Sequence, residues 1–232
     1  MITFSIIQKS QLEGAHRLDA EYYSTNVSFT IPFLLGKDAV EFVQYGTSKE
    51  LNENLVGYPV LRLNEFNNYF VGNPAKYCDK ISKKNFEDLK LNKGDILVCR
   101  TNGNPRLVGK AALVMQDENF AFASYLFRIK PKKDFINSSS LTIFLNSKYG
   151  RQQIEKYLMP SIQSNFSPAK FREIKIPFLE KDLQKNLEIS LLTSWEQLER
   201  SKKFYVQAER LLLNGLGDFQ TENKLYTIIN LS

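Results

Sequence analysis

The sequence predicts an α+β fold, in which a globular mixed α/β domain with β-hairpins is followed by one long α-helix. Hydrophobic residues make up 43% and aromatic residues 12% of the 232 residues, which is enough for a packed core. Short apolar runs bounded by glycine, asparagine or proline recur before residue 178, as expected for strands. Residues 181–213 then contain neither proline nor glycine, as expected for a long helix.

Five segments have the composition of strands, because they are short and rich in β-branched or aromatic residues. They are residues 58–64, 94–99, 108–115, 120–130 and 173–178. The second and third are separated by a loop much longer than the tight turn of a plain hairpin. In the fourth, alternate positions from Ala121 to Ile129 are apolar, which predicts one half-buried strand.

Two further segments before the long helix are predicted to be helical. Residues 138–158 begin with serine caps, and Gly150 within them predicts a bend or a split. Ser167 followed by Pro168 is an N-cap followed by proline at the first helical position, which predicts a short helix over 168–172.

The long helix carries more apolar residues than a two-stranded seam needs. The residues predicted to face a partner helix are Leu187, Leu191, Trp195, Leu198, Tyr205 and Leu212. The alternative is that the helix packs on its own globular domain. The glycines at 215 and 217 predict its end and an extended tail after it. The predicted organisation is therefore a domain over 1–179, a spacer or dimerisation helix over 180–214 and a C-terminal tail over 215–232.

The net charge of +6 is concentrated in one part of the sequence. Residues 90–133 hold nine lysines and arginines against three acids, which accounts for the whole excess. Within them, residues 97–114 read LVCRTNGNPRLVGKAALV, a polar loop between two apolar runs. A local cationic surface of this kind is what binding to a polyanion requires. A solvated face with chance clustering of charge is the alternative.

Several classes of function are excluded or disfavoured by what the sequence lacks. It has neither a glycine-rich cofactor turn nor a phosphate-binding loop, and no Asn-Pro-Pro-aromatic tetrapeptide. Asp95 lacks the nearby Glu-x-Lys of a metal nuclease, and a single histidine, His16, disfavours histidine-based metal sites and catalytic triads. Cys78 and Cys99 are predicted to be free buried thiols in a reducing cytoplasm. Neither a signal peptide nor a membrane span is predicted.

Six stretches, taken in order, resemble specificity subunits of type I restriction–modification systems. The central stretch is Gly94-Asp95-Ile96-Leu97, followed by Arg100-Thr101-Asn102 and Leu107-Val108-Gly109-Lys110, which resembles their target recognition domain. The others are RLDAEYY (17–23), YGTS (45–48), GYPVLRLN (57–64), QSNFS (163–167) with IKIP (174–177), and LLL (211–213) through DFQ (218–220). The resemblance covers nearly the whole chain.

The resemblance implies a non-catalytic subunit that recognises double-stranded DNA. Such subunits hold two target recognition domains, each reading half of a bipartite site, separated by antiparallel helices. A modification subunit binds the helices and methylates adenine, and a restriction subunit adds ATP-driven translocation and cleavage. S-adenosylmethionine, Mg and ATP are therefore expected only on the partner subunits, with no cofactor on this chain. This sequence has one such domain and one long helix, either as a half-subunit or as part of a longer chain. We expect two copies to pair through residues 181–213.

DNA binding divides into base reading and phosphate contact. The predicted base readers are Arg100, Asn102, Asn104, Arg106, Gln163 and Asn165, since arginine pairs with guanine, and asparagine or glutamine with adenine. The predicted phosphate contacts are Lys90, Lys93, Lys110, Lys130, Lys132, Lys133, Lys170 and Lys175. The two loop asparagines could instead stabilise turns, Arg62 could pair with a buried acid, and Phe166 could belong to the core.

Two other functions are compatible with the sequence. The chain could be the recognition part of a fused restriction–methyltransferase enzyme. It could also be a non-specific nucleic-acid-binding or structural adaptor with a basic face.

Overall fold

The computed structural model describes residues 29–158 and 164–216, which form a mixed α+β domain followed by a long helix, as predicted. The strands are β1 (Phe33–Leu35), β2 (Val40–Tyr45), β3 (Tyr58–Leu61), β4 (Phe66–Asn67), β5 (Phe70–Val71), β6 (Lys76–Cys78), β7 (Ile96–Cys99), β8 (Thr101–Asn102), β9 (Ala111–Leu113), β10 (Ala121–Phe122), β11 (Leu126–Pro131), β12 (Ser164–Asn165) and β13 (Lys175–Pro177). The helices are α1 (Gly36–Ala39), α2 (Lys83–Leu89), α3 (Ser138–Asn146), α4 (Lys148–Tyr157), α5 (Pro168–Phe171) and α6 (Lys181–Leu216). Two 3-10 turns span Leu63–Glu65 and Pro105–Leu107.

A six-stranded sheet in the order β2-β11-β7-β9-β5-β4 is the centre of the domain. Its pairs are antiparallel except β5–β9, and β7 and β9 form the predicted hairpin. Because side chains alternate across a strand, Ile96 and Val98 enter one core while Leu97 and Cys99 enter another. The sheet is thus buried on both faces.

The two faces of the sheet are covered by different elements. On one face lie α3, α4 and the start of α6, with buried Leu145, Ile154 and Leu191 in the same cluster. On the other face lie α2 and a three-stranded sheet in the order β10-β3-β6, with buried Phe86 and Phe122. Two more pairs, β1–β13 and β8–β12, complete the described sheets.

The prediction of one half-buried strand over 120–130 is wrong. The chain turns at Ser124 and Tyr125, so that β10 joins the small sheet and β11 joins the central one. Strand β11 is covered on both faces, and the alternation predicted from its apolar residues fails because Arg128 is also buried. The Arg128 guanidinium donates to the Asp95 carboxylate at 3.0 Å and to the Lys90 carbonyl at 2.6 Å, which satisfies its charge inside the fold.

The helical segment 138–158 does split, but at Ser147 and not at Gly150. Ser147 ends α3 and its side chain accepts from the Gly150 N–H to begin α4. The N-cap of α3 is Asn137, not a serine. Gly150 allows a close helix contact, because a Cβ there would lie 2.2 Å from the Phe144 carbonyl oxygen.

The predicted strand 58–64 ends early, at Leu61. The Glu65 carboxylate accepts from the Arg62 N–H at 2.6 Å and from its Nε at 3.1 Å, which closes a 3-10 turn. Arg62 therefore does pair with a buried acid. The short helix capped by Ser167, with Pro168 at its first position, is confirmed as α5.

The predicted long helix is confirmed as α6, which continues through Gly215 to Leu216. Its first turns are fixed to the domain by Gln184, whose side chain is 3% exposed. Gln184 Nε2 donates to the Phe135 and Leu179 carbonyls, and its Oε1 accepts from the Asn137 N–H. The predicted tail beyond residue 216 lies outside the described residues.

Candidate nucleic-acid interface

The loop between β7 and β9, residues 100–110, is internally bonded and is called the reading loop here. Its base is closed by two backbone bonds, from the Gly109 N–H to the Cys99 carbonyl at 2.7 Å and from the Cys99 N–H to the Lys110 carbonyl at 2.9 Å. Gly109 has a positive φ of 80°, a conformation that favours glycine. Gly103 lies at the exposed tip, where a Cβ would meet nothing within 4 Å.

The reading loop is joined to a second segment more than 60 residues later in the sequence. Strand β12 pairs antiparallel with β8, in the register Ser164 to Asn102 and Asn165 to Thr101. The Phe166 N–H then donates to the Arg100 carbonyl at 2.7 Å, and the Phe166 ring is fully buried against Phe127. Phe166 is therefore a core residue that anchors the second segment.

This pairing brings Asn165 alongside the loop that carries four of the other predicted base readers. Arg106 and Asn104 are exposed, and Asn102 and Arg100 are half-buried beside the exposed Asn165. Gln163 lies outside the described residues.

Both loop asparagines form turns, which was the alternative to base reading. The Asn102 Oδ1 accepts from the Asn104 N–H at 2.8 Å, and the Asn104 Oδ1 accepts from the Arg106 N–H at 3.0 Å. The second bond caps the 3-10 turn Pro105–Leu107. Asn102 and Asn104 therefore both stabilise turns, and in both turn bonds the acceptor is the side-chain amide oxygen.

Arg100 packs on an aromatic ring at the start of the reading loop. Its guanidinium lies over the Tyr45 ring, 5.3 Å from the ring centroid, and the backbone N–H of Arg100 donates to the Tyr125 carbonyl at 2.8 Å. Such a contact restricts the guanidinium to one side of the ring. Tyr45 itself is 47% exposed at the end of β2.

Arg151 on α4 holds the other side of the reading loop. Its guanidinium donates to the Val108 carbonyl at 2.6 Å and to the Arg106 carbonyl at 3.3 Å. Burial lowers the pKa of the Arg151 guanidinium from its ordinary value, while Glu155 at 3.8 Å opposes that shift. Ile154 adds an apolar contact, since a Cβ on Gly109 would lie 2.5 Å from it. Tyr45 and Arg151 were missed in the sequence because both contact the loop across a large sequence separation.

The predicted single cationic face over residues 90–133 divides between two ends of the central sheet. Strand β11 runs antiparallel to β7, with Leu126 opposite Cys99 and Ile129 opposite Ile96. The reading loop follows Cys99, so it lies at the Leu126 end. Five predicted phosphate contacts lie at or beyond the other end, namely Lys90, Lys93, Lys130, Lys132 and Lys133. A contiguous basic stretch in sequence is therefore not one surface here.

Several of the predicted lysines already have partners within the chain. Lys170 donates to the Tyr157 and Asn165 carbonyls at 2.8 and 2.9 Å, so its ammonium group links the second segment to the end of α4. Lys175 lies 5.2 Å from the centre of the Phe33 ring. Lys90 pairs with Glu87 at 3.3 Å and Lys130 with Glu41 at 3.2 Å. Lys110, half-buried at the end of the reading loop, is a second predicted phosphate contact, besides Lys170, that lies next to predicted base readers.

The six residues predicted to face a partner helix also divide into groups. Leu191, Trp195 and Leu198 pack against the core cluster on the helical face of the sheet, as the alternative prediction required. Leu187, on the same half of α6, is half-buried. Tyr205 is 75% and Leu212 62% exposed. Every residue from 200 to 216 is exposed, and this part of α6 is called the projecting half.

Residues 29–158 and 164–216 contain neither a candidate metal site nor a candidate membrane span. In this part of the chain, no three His, Cys, Asp or Glu side chains are arranged to hold a metal ion. None of the helices described there has the length and apolar character needed to cross a membrane.

Two curated proteins are similar to this chain in sequence. The chain is 25% identical over 185 residues to the type I restriction enzyme StySPI specificity subunit of Salmonella potsdam, a match over 79% of this chain and 39% of the relative. It is 24% identical over 166 residues to a Methanocaldococcus jannaschii protein named as the type I restriction enzyme MjaX specificity subunit, over 70% of this chain and 38% of the relative. The chain thus spans less than two fifths of these relatives. No protein-family model matches it.

Solved structures share the fold. The type I restriction–modification S subunit of M. genitalium superposes with a TM-score of 0.54 at 17% identity, over 80% of this chain and 45% of that chain. A chain of a solved type I R-M system superposes with a TM-score of 0.52 at 15% identity, over 81% of this chain and 44% of that chain. The resemblance predicted from the sequence motifs is confirmed: the chain is similar to type I specificity subunits in sequence and in fold.

Proposed function

We propose that this chain is a non-catalytic, sequence-specific DNA-binding subunit of a type I restriction–modification system. The observation that carries the proposal is the β8–β12 pairing, which joins the segment that carries Asn165 to the polar loop that carries Arg100 and Arg106. Arginine forks and amides are the side chains that read base edges in the major groove. The named relatives, which are specificity subunits, support the same function.

The surface proposed to contact DNA is limited to one end of the domain. It consists of the reading loop and the segment from Ser164 to Phe166, with Lys110 as a phosphate contact. The lysines at the other end of the sheet are outside it. Affinity falls with salt, and each phosphate contact makes the slope of log affinity against log salt steeper by about 0.9. Removing Lys110 should therefore make that slope shallower by about one.

Catalysis in this proposal belongs to partner subunits. A separate methyltransferase subunit would supply S-adenosylmethionine and modify adenine, and a restriction subunit would use ATP and Mg. One copy of this chain would read one half of a bipartite site. We expect binding of the chain to duplex DNA to need no metal or cofactor, because hydrogen-bond donors and lysines suffice for base and phosphate contact.

We propose further that two copies pair through the projecting half of α6. Phe204, Tyr205, Leu211 and Leu213 are between 53% and 75% exposed there. Apolar side chains at this density on an isolated helix need a partner surface. A second copy would bury these side chains, and a two-fold axis would then relate the two reading surfaces.

Selection from a pool of duplexes with a randomised centre tests the DNA-binding function directly. We expect the full chain to enrich a defined sequence, and two copies to enrich two half-sites in inverted orientation. The matched comparison is Arg106→Ala, which should lose about 1–3 kcal/mol on the enriched sequence and relax one base position. Equal binding to every duplex in the pool would contradict the proposal.

A further inference from the structure

The reading loop carries an unusual set of polar side chains. Residues 100–110 contain two arginines, two asparagines, one lysine and one threonine, and no acid, glutamine, histidine or serine. Arginine and lysine can only donate hydrogen bonds, whereas an asparagine amide has one accepting oxygen and one donating NH₂ group. The side-chain acceptors of the loop are therefore the two asparagine oxygens and the Thr101 hydroxyl.

Both asparagine oxygens are engaged in the backbone of the loop itself. The Asn102 Oδ1 accepts from the Asn104 N–H, and the Asn104 Oδ1 accepts from the Arg106 N–H. The identity of the accepting atom is fixed by chemistry, because a backbone N–H can only bond to the oxygen of the amide. Since Oδ1 and Nδ2 lie on the same planar carbon, an oxygen held against the loop leaves the NH₂ group directed away from that bond.

A donor-rich loop matches only part of the hydrogen-bonding pattern of DNA. In the major groove, guanine presents two acceptors, N7 and O6, while adenine and cytosine each present an amino donor. An asparagine that reads adenine must accept from the adenine amino group with the same oxygen that these turns already use. Each turn uses one of the two lone pairs of its asparagine oxygen, so adenine reading would require that oxygen to accept a second bond, whereas donation from the NH₂ group to guanine requires no shared atom.

We propose that the reading loop recognises guanine, by donating from Arg106, Asn104 and Arg100 to N7 and O6 in the major groove. This rests on the proposed function and narrows it to one base. The half-site should contain at least one G·C pair whose guanine faces the loop. Adenine would then be read from the second segment, where Asn165 supplies an amide outside these two turns.

The experiment uses the full chain and a duplex carrying the sequence that it enriches from the randomised pool. Each guanine of that sequence is replaced in turn by 7-deazaguanine, which lacks only the N7 acceptor. At the guanine contacted by the loop, the replacement should weaken binding about 5- to 150-fold, the range of one good base contact. The same duplex replacement is then measured with Arg106→Ala and with Asn104→Ser. In the variant that has lost the contacting side chain, 7-deazaguanine should weaken binding by less than about 2-fold, because the contact to N7 is already absent.

Asn104→Ser and Asn104→Ala form a matched pair for the amide. Serine keeps an oxygen that can accept from the Arg106 N–H but lacks the NH₂ group, and alanine lacks both. Loss of guanine preference in both variants supports the proposal. Parent-like selection by Asn104→Ser would overturn the assignment of Asn104.

The outcomes separate this proposal from the proposed function. If the parent enriches a sequence but the loop variants lose preference at an adenine, guanine recognition is wrong while DNA recognition stands. If 7-deazaguanine has no effect at any enriched guanine, the proposal is likewise overturned. If the parent enriches no sequence, both fail together.

Discussion

Replacing Arg151 by methionine should loosen the reading loop without unfolding the domain. Methionine keeps most of the apolar stem but removes the guanidinium that bonds to the Val108 and Arg106 carbonyls. The 2.6 Å bond to Val108 has a charged donor whose side chain is only 18% exposed, so it is expected to contribute about 1.5–3 kcal/mol. The 3.3 Å bond to Arg106 is longer and should contribute less, about 0.5 kcal/mol. The local stabilisation of the loop should fall by roughly 2–3.5 kcal/mol.

Native-state hydrogen exchange measures this change without DNA. The Gly109 and Lys110 amides, which donate to the Cys99 and Leu107 carbonyls, report on loop opening. A loss of about 2–3.5 kcal/mol corresponds to exchange roughly 30- to 400-fold faster at these amides. Amides of the central sheet, such as those of β11, should keep their protection because they open only with the whole domain.

Glu155→Gln is the matched control for Arg151. The Glu155 carboxylate lies 3.8 Å from the guanidinium and is 59% exposed, so this pair should contribute little. Removing it leaves both carbonyl contacts in place, and loop exchange should change less than about 3-fold. Unchanged exchange in Arg151→Met, or equal acceleration in both variants, would refute the idea that Arg151 holds the loop.

Three other predictions concern the sheet, the thiol and the projecting half. Arg128→Met should lower the free energy of unfolding, measured in urea, by about 3–5 kcal/mol because it leaves the 2% exposed Asp95 carboxylate without its charged partner, with only the Asn92 N–H still donating to it. A loss below about 1 kcal/mol would contradict this. Burial raises the pKa of the Cys99 thiol to about 12 from its ordinary value of 9.0, so the fold favours the neutral thiol. The contribution of the neutral thiol to stability should be complete below pH 9 and lost as the pH rises towards 12. In urea titrations, the free energy of unfolding of Cys99→Ala should therefore decline less over that interval than that of the parent. Tyr205→Glu with Leu212→Glu should shift sedimentation at tens of micromolar protein from a dimer to a monomer while leaving the circular dichroism of the domain unchanged; a monomeric parent would count against the paired state.

Local sequence signals predicted where helices begin and how long they run, but not that segment 120–130 divides into two strands of different sheets. Ser167 and Pro168 specify a helix start within two residues, and the absence of proline and glycine over 181–213 specifies a long helix, so both predictions hold. Segment 120–130 fails because its apolar residues serve two sheets, and a turn of Ser124 and Tyr125 has none of the usual turn glycines. The division into two strands depends on their pairing partners, because β10 pairs with β3 and β11 pairs with β7.

The candidate site depends even more on distant residues. Composition identifies a polar loop at 100–110, and the motif QSNFS identifies a second segment, but only the fold shows that the two pair. The same limit explains why charge counting grouped Lys93 and Lys132 with the reading loop, although the sheet separates them from it. An antiparallel strand of only six residues, β11, returns the chain to the opposite end of the sheet, so neighbours in sequence become separated in space. Charge patterns locate a surface only once strand directions are known.

The reading loop shows how a short polar segment can hold a fixed shape before any partner binds. Each bond that closes it, from Gly109 to Cys99, from Arg106 to the Asn104 oxygen and from Arg151 to Val108, is made within the chain. Ordering a flexible loop on binding would cost about 0.5–1.5 kcal/mol for each side chain immobilised, and a loop already ordered avoids part of that cost. Two of the bonds that order the loop each occupy one lone pair of an asparagine oxygen, at Asn102 and at Asn104, so the order of the loop and the orientation of these amides are linked. A loop that obtained its rigidity in another way, for example from a hydrophobic tip, would leave both lone pairs of each oxygen available and would favour guanine over adenine less.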